Sequence, residues 1–546
     1  MKKIALLSNV TTDMITSKLR KKFDVYTPDG YDAWISDIMN PASMTNSTEM
    51  DALFLLLDGT ELYKLPVDEV WQKIQLWETV ITKLASQTDA LLFISTIDFK
   101  ENRIKTYGER KYFIEWENSW YQFVQGLSEK NEKVYVLDIL QRIIDKGRDN
   151  FYSPKMWYMG SMPYSKLGIE IIVDEITLAM DAAFRSRKKI AVLDLDNTLW
   201  GGVIGEDGVN GITLSEYNEG GRFYDFQQRF LEMKKRGVVL AINSKNNMED
   251  VEEAFQHPDM LLSKEDFVST RINWDDKALN IKNMAEELNL TEGSFVFIDD
   301  NPIEQKIVSG QCPDVFVPAF PEDTVGLPLF AERIYRENFQ TLRITEEDSQ
   351  KTKMYQTEVK RKAVKTDEMD LDSYIKLLEM KADIHRMRQE EKERVHQLCN
   401  KTNQFNLTTK RYSLKEIEKL VAAENTDVFT VSVSDKFGDN GLVSVIITKR
   451  CAETVFIDTF LMSCRVMGRR LEDVIISVLV GYYKDKGKLI GLYEPTAKNM
   501  PVATLYPKMG FTQMDDGDVK QYYYELYKPY PKVSSYAEVW FEGSCV

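Results

Sequence analysis

Asp194 and Asp196 follow directly on the apolar run Ile190-Ala191-Val192-Leu193. A run of that kind predicts a buried strand, and open α/β sheets bind ligands at the carboxyl ends of such strands. Strand alternation sends both carboxylates to one side. There, one can attack phosphorus while a hard cation offsets the charge. The segment alone fits a second reading equally well, a pair of loop aspartates capping a helix.

Three further segments favour the chemical reading. Val238 to Ser244 is an apolar run ending in a hydroxyl that can hydrogen-bond a phosphoryl oxygen, and Lys277 follows with a charge suited to the transferred group. Phe295 to Ile298 leads into Asp299-Asp300-Asn301, a third strand delivering paired acids. This ordered set resembles the haloacid-dehalogenase superfamily of aspartate-nucleophile phosphotransferases. The resemblance implies that Asp194 is the nucleophile, forming an aspartyl-phosphate, and Asp196 the general acid/base. It implies that Ser244 and Lys277 hold the phosphoryl group, with Asn197 and Thr198 also placed on the substrate side. A Mg2+ site would draw on Asp194, Asp196, Asp299 and Asp300; Asp300 is preferred over Asp299 as the ligand, and the choice stays open. The Gly-rich stretch Trp200 to Gly208 is long enough for a hairpin flap and too short for a cap domain, so a large substrate or another domain can reach the site.

A second constellation lies near the C-terminus. Leu461 to Arg470 joins a predicted strand to an apolar helix beginning at Leu471 and contains Cys464. Main-chain N–H groups at a helix start favour an anion, and a thiolate is one. The alternative for Cys464 is a small buried hydrophobe. Asn499, Leu505-Tyr506 and Gly510-Phe511 carry the spacing of the acyl-CoA N-acetyltransferase (GNAT) superfamily, which this region resembles. That superfamily's pyrophosphate loop maps onto Arg465, Gly468 and Arg470, and a bulky arginine stands where a small residue is expected. The departure speaks against ordinary acetyl-CoA use and leaves room for another pantetheine-bearing partner. Asp194 to Gly208 (DLDNTLWGGVIGEDG), Lys401 to Arg411 (KTNQFNLTTKR) and Cys464 to Arg469 (CRVMGR) together resemble the FkbH-like proteins. That resemblance covers nearly the whole chain. It implies a magnesium-dependent enzyme that takes a glyceryl unit from 1,3-bisphosphoglycerate, removes phosphate, rests the acyl group on Cys464 and passes it to the phosphopantetheine arm of an acyl carrier protein. Arg465, Gly468, Arg469 and Asn403 would contact the carrier or acyl group. Two alternatives stand beside it: a simple magnesium phosphatase with a regulatory GNAT-like domain, and a non-catalytic scaffold that recruits a carrier protein.

The elements that must position these groups follow from the chain as a whole. Its 546 residues suit three or four domains at roughly 150 residues each. A formal charge of −16 repels phosphate backbones, so nucleic acid is a poor partner. Acyl carrier proteins are usually acidic too, and docking one would need a local basic face, for which Arg465, Arg469, Arg470, Lys401, Lys410 and Arg411 are the candidates. No apolar run approaches the roughly 18 residues of a membrane span, and the short run after Met1 is no signal core, so the expectation is a cytoplasmic protein. Five cysteines without a CxxC pair suggest neither a disulfide framework nor a zinc site.

Alternating apolar runs and helical stretches predict a doubly wound SGNH-like α/β domain over 1–187. Ser8-Asn9 resembles the serine block of those hydrolases, but 1–256 contain no histidine to act as base, and the domain is expected to be non-hydrolytic. A second doubly wound, haloacid-dehalogenase-like domain is expected over 188–332, a charged, solvated helical connector over 333–395, and an α+β GNAT-like domain over 396–546.

Overall fold

The computed structural model describes residues 1–546 except 102–103, 345, 364–368, 497, 516, 529, 531–536 and 546; of 346–347, 349–350, 363 and 464 the backbone alone is described. The chain divides into two compact units, 1–186 with 340–343, and 187–339 with 344–546.

The first unit is built on a parallel sheet of β1 (Lys3–Ser8), β2 (Asp24–Tyr26), β3 (Ala52–Leu56), β4 (Leu91–Ser95) and β5 (Val134–Leu137), in the order β2-β1-β3-β4-β5. Its central strands are apolar at nearly every position because helices cover both faces. Alternation divides them cleanly. Ala5 and Leu7 join the core of Trp34, Trp77 and Trp120, while Ile4 and Leu6 join that of Ile15, Ile172 and Ile176.

The second unit begins with a parallel sheet of β6 (Ile190–Leu193), β7 (Val239–Ser244), β8 (Phe267–Ile272) and β9 (Phe295–Ile298), ordered β8-β7-β6-β9. Ala191 and Leu193 pack on Phe223, Phe226 and Phe230; Ile190 and Val192 pack on Ala278, Ile281 and Met284. Leu193 is level with Ile242 on one side and Ile298 on the other. The residues that follow these three level positions, Asp194, Asn243-Ser244 and Asp299, are therefore delivered to one edge.

The stretch expected to be a solvated connector is neither solvated throughout nor wholly helical. The helix Glu346–Ala363 lies on β8, where Gln356 Nε2 donates to the carbonyls of Glu265 (2.7 Å) and Phe267 (3.2 Å). Its Glu358 and Arg361 are buried with Asp435 and Arg469 in a cluster of two acids and two guanidiniums. Lys381–Arg386 is then a strand, β10, inside a mixed nine-stranded sheet. The sheet continues with β11 (Thr426–Asp435), β12 (Gly438–Cys451), β13 (Thr454–Met462), β14 (Lys488–Tyr493), β15 (Thr512–Asp515), β16 (Lys520–Glu525), β17 (Glu538–Phe541) and β18 (Ser544–Cys545). Strands β10 to β13 are antiparallel in sequence order, and the helix Leu471–Tyr482 crosses over to make β14 parallel to β13. The fold is thus two parallel-sheet α/β domains followed by an α+β domain. Among the described residues, no helix is long and apolar enough to cross a membrane.

In this last sheet β13 and β14 pair only from Thr454/Lys488 to Ile457/Gly491, then part. Residues 405–407 fill the opening. Leu407 N–H donates to the Phe460 carbonyl (3.0 Å), Met462 N–H to that of Phe405 (2.9 Å) and Glu494 N–H to that of Leu407 (2.8 Å). The fully buried Asn499 amide donates to the carbonyls of Asn406 and Glu494, both at 2.9 Å. Two segments singled out in the sequence, Lys401 to Arg411 and Asn499 to Phe511, therefore meet in one structural device.

Candidate active site

The parallel sheet of the second unit ends in a knot of charge. Oxygens of Asp194, Asp299 and Asp300 lie within 4.8 Å of one another. Lys277, at the start of the helix Lys277–Glu287, places Nζ 2.6 Å from Asp299 Oδ2 and 3.0 Å from Asp194 Oδ1. Asp276 caps that helix through the N–H groups of Ala278 and Leu279. Burial would lower the Lys277 ammonium, but the charges of Asp194 and Asp299 overcome it and hold the pKa above its ordinary value. Burial, followed by the charge of Asp194, pushes both Asp299 and Asp300 up to about 6. Three carboxylates against one ammonium leave an excess of negative charge among oxygen donors. That donor set fits Mg2+, a hard, oxygen-seeking divalent cation. The cluster unites Asp194 with both members of the Asp299/Asp300 pair; Asp299 is engaged by Lys277 and by the N–H of Asn301 (2.9 Å).

Asp196 is turned away from that cluster. Its Oδ1 accepts from Trp200 Nε1 (2.9 Å) and the N–H of Ile204 (3.0 Å), and its Oδ2 from Asn246 Nδ2 (3.0 Å). Its carboxylate is not among those whose oxygens lie within 4.8 Å of one another. Ser244 is buried at the end of β7 and accepts from the same Asn246 amide at 3.2 Å. Asn197 is exposed, in the left-handed conformation (φ 53°), and spends its side chain on the N–H of Gly202 (2.9 Å), closing the flap's base. Thr198 is fully buried, its hydroxyl without a hydrogen-bond partner among the described residues.

Beneath these groups lies an asparagine network the sequence reading missed. Asn243 Nδ2 donates to the Lys277 carbonyl (2.9 Å), and Asn280 Nδ2 reaches Asn243 Oδ1 (3.0 Å) and Asn273 Oδ1 (2.9 Å). Asn243 and Asn280 are almost fully buried. They tie the start of the Lys277 helix to the strand that carries Ser244. Asparagine directly after an apolar strand reads as a turn former, which hides this role.

The six basic residues expected to form a docking face carry acidic, hydroxyl or main-chain partners within the chain. Arg469 is 2% exposed, with its guanidinium between Glu358 and Asp435 (3.1 Å) and against the Arg465 carbonyl (2.6 Å). Arg465 turns its Nε to Ser463 Oγ (3.2 Å), and Arg470 pairs with Asp372 (3.1 Å) and Asp473 (2.8 Å). Lys410 is held by Asp458 (2.6 Å), Lys401 lies 3.7 Å from Asp348, and Arg411 donates to the carbonyls of Cys399 and Thr402 and to Asn403 Oδ1. Gly468 adopts φ 77°, a conformation that favours glycine. Cys464 opens a short helical turn, Cys464–Val466; its side chain lies outside the described residues.

In the first unit, Ser8 Oγ donates to the Leu56 carbonyl (2.6 Å) and accepts from the N–H of Val10 (3.3 Å), a main-chain role.

No family model matches the sequence, and no curated protein does. Solved structures do. The crystal structure of the N-terminal part of the protein BF1531 from Bacteroides fragilis, containing a phosphatase domain complexed with Mg, is 25% identical, with a TM-score of 0.57 over 63% of this chain and 95% of that one. Spermidine N-acetyltransferase from Vibrio cholerae in complex with CoA and spermine is 15% identical, with a TM-score of 0.22 over 27% of this chain and 96% of that one. An acetyltransferase from Thermus thermophilus is 13% identical, with a TM-score of 0.22 over 27% and 99%. This chain is therefore similar, over most of its length, to a magnesium-complexed phosphatase-domain structure.

Proposed function

We propose that this chain is a magnesium-dependent phosphoryl-transfer enzyme that removes phosphate from a phosphorylated three-carbon acyl donor of the 1,3-bisphosphoglycerate type and loads the acyl group onto an acyl carrier protein. The observation that carries the phosphatase half is the convergence of Asp194, Asp299, Asp300, Lys277 and Ser244 on one sheet edge, with Asp196 beside them. Asp194 Oδ attacks the phosphorus of the donor's ester phosphate, the bond to the leaving alkoxide oxygen breaks, and Asp196 supplies that oxygen's proton, so the acyl phosphate is left for the thiol. Water then attacks the phosphorus, gives a proton to Asp196 and releases phosphate from Asp194. Lys277 and Ser244 hold the phosphoryl oxygens throughout. Bound Mg2+ would offset charge on those oxygens and on Asp194.

The loading half rests on the resemblance of CRVMGR and KTNQFNLTTKR to the FkbH-like proteins. The Cys464 thiolate attacks the carbonyl carbon of the acyl phosphate, a C–S bond forms and phosphate leaves. The pantetheine thiol of the carrier then displaces Cys464. Neither step needs a basic face built from Arg469, whose guanidinium is committed to Glu358 and Asp435.

Two variants test the two halves. Asp194→Asn should abolish phosphate release from a phosphate ester while circular dichroism stays unchanged; turnover by that variant would refute the phosphotransfer reading. With 1,3-bisphosphoglycerate and magnesium but no carrier, intact-mass analysis should find a hydroxylamine-labile adduct on the wild type and none on Cys464→Ala. Carrier loading at the wild-type rate by Cys464→Ala would overturn the thioester relay in favour of direct transfer, and wild-type protein that releases phosphate but never loads the carrier would leave a simple phosphatase, the reading held in reserve.

A further inference from the structure

Asn246 lies two residues beyond Ser244, past the end of β7, and is 6% exposed. A side-chain amide has two N–H protons. The structure gives the Asn246 nitrogen two acceptors, Asp196 Oδ2 at 3.0 Å and Ser244 Oγ at 3.2 Å. On the other side of Asp196, Oδ1 already takes Trp200 Nε1 and the Ile204 N–H. A carboxylate oxygen has about two acceptor directions, so Oδ1 is filled and Oδ2 keeps one. At Ser244 the amide occupies a hydroxyl lone pair, which leaves the hydroxyl's own proton free to point at a ligand.

We propose that Asn246 is a positioning residue that presents Asp196 Oδ2 as the oxygen that carries the proton and turns the Ser244 hydroxyl toward the phosphoryl group. The inference rests on the phosphotransfer reading above and adds a named oxygen and the residue that selects it. When Asp196 acts as acid, Oδ2 gives its proton to the leaving oxygen; when it acts as base, the same oxygen takes one from water. In both states Oδ2 keeps a lone pair for Asn246. Without the amide, the Asp196 carboxylate is held on its Oδ1 side alone and can swing about that anchor, so the proton arrives misaligned. Among the described residues Asp194 and Lys277 share no hydrogen bond with Asn246, and they keep their places.

The experiment compares two phosphate esters with the full chain and magnesium. p-Nitrophenyl phosphate has a leaving group that departs without a proton; glycerol phosphate has one that needs it. Asn246→Ala should lose on the order of 100-fold in kcat/KM on glycerol phosphate, the size of a general-acid contribution, and only a few-fold on p-nitrophenyl phosphate, because kcat/KM reports the leaving-group step and excludes the water step that both esters share. KM should rise a few-fold for both, reflecting Ser244. Asn246→Asp, which keeps the side chain's shape but sets an oxygen against Asp196, should give the same leaving-group signature and stands in if Asn246→Ala does not fold. Equal losses on the two esters, or none, would overturn the inference while leaving the phosphotransfer reading intact, provided Asp194→Asn is dead on both. Wild-type protein inert toward both esters would refute that reading and this inference together.

Discussion

Lys277 serves two carboxylates at once, and its loss should show in stability as well as in turnover. Lys277→Met leaves Asp194, Asp299 and Asp300 facing one another with no counter-charge from that side chain. We expect phosphate release to fall by more than about 100-fold, and added magnesium to raise Tm further than it does for the wild type, because a ligand bound only by the folded state stabilises it. Scanning fluorimetry with and without the cation checks this. The same carboxylates make a pH prediction. Asp299 and Asp300 sit at about 6 because they are buried beside Asp194, so as the pH falls below that value they take up protons that a bound cation must displace. Magnesium affinity should therefore weaken from pH 7 to pH 5, and calorimetry at the upper pH should show little proton release on binding. At Ser8 the expectation is the opposite of a catalytic serine. Ser8→Ala removes a bond to the Leu56 carbonyl, costing about 1 kcal/mol, and should leave phosphate release within a few-fold of wild type.

Among the elements, the loop entering the helix Leu471–Tyr482 is constrained by conformation, not by space. Nothing lies within 4 Å of a Cβ built on Gly468, yet its φ of 77° is left-handed. Gly468→Ala should cost about 1 kcal/mol, read as a modest drop in Tm with no new clash. The strands carrying the chemistry were readable in the sequence because each is a short apolar run ending in Asp, Ser or Asp-Asp, and parallel register then fixes which ends meet. Strand β10 was hidden for the converse reason. In KADIHR, Ala382 and Ile384 alternate with Lys381 and Asp383, a period-2 signal of only two apolar residues surrounded by charge. The helix Glu346–Ala363 misled in the same way, since its charged Glu358 and Arg361 read as solvent-facing until Asp435 and Arg469, distant in sequence, bury them. Asn246 and Asn243 were invisible because an amide's value lies in its two partners, and neither partner is a sequence neighbour on a recognisable period.

At the scale of the whole molecule, the cluster of Glu358, Arg361, Asp435 and Arg469 balances two negative charges against two positive ones with side chains at most 6% exposed. Breaking such a set from one side is costly, about 3–5 kcal/mol, because a partner is left charged and buried. Arg469→Met should therefore act through stability: a large fall in the denaturation midpoint, with any defect in carrier loading tracking the folded fraction. An effect on loading in fully folded protein would instead point to contact with the carrier. The segment that closes the last sheet imposes an order of assembly. Residues 405–407 leave the ribosome before either strand they join, and the Asn406 carbonyl must wait for the side-chain amide of Asn499, 93 residues later, to be capped. Phe405 and Leu407 have no main chain to pair with until Phe460 and Met462 of β13 are made, and until β14 follows, β13 carries an unpaired edge from Thr454 to Ile457 of the kind that invites pairing with another chain. Nascent chains halted between β13 and β14 should thus be sticky in a way the finished domain is not.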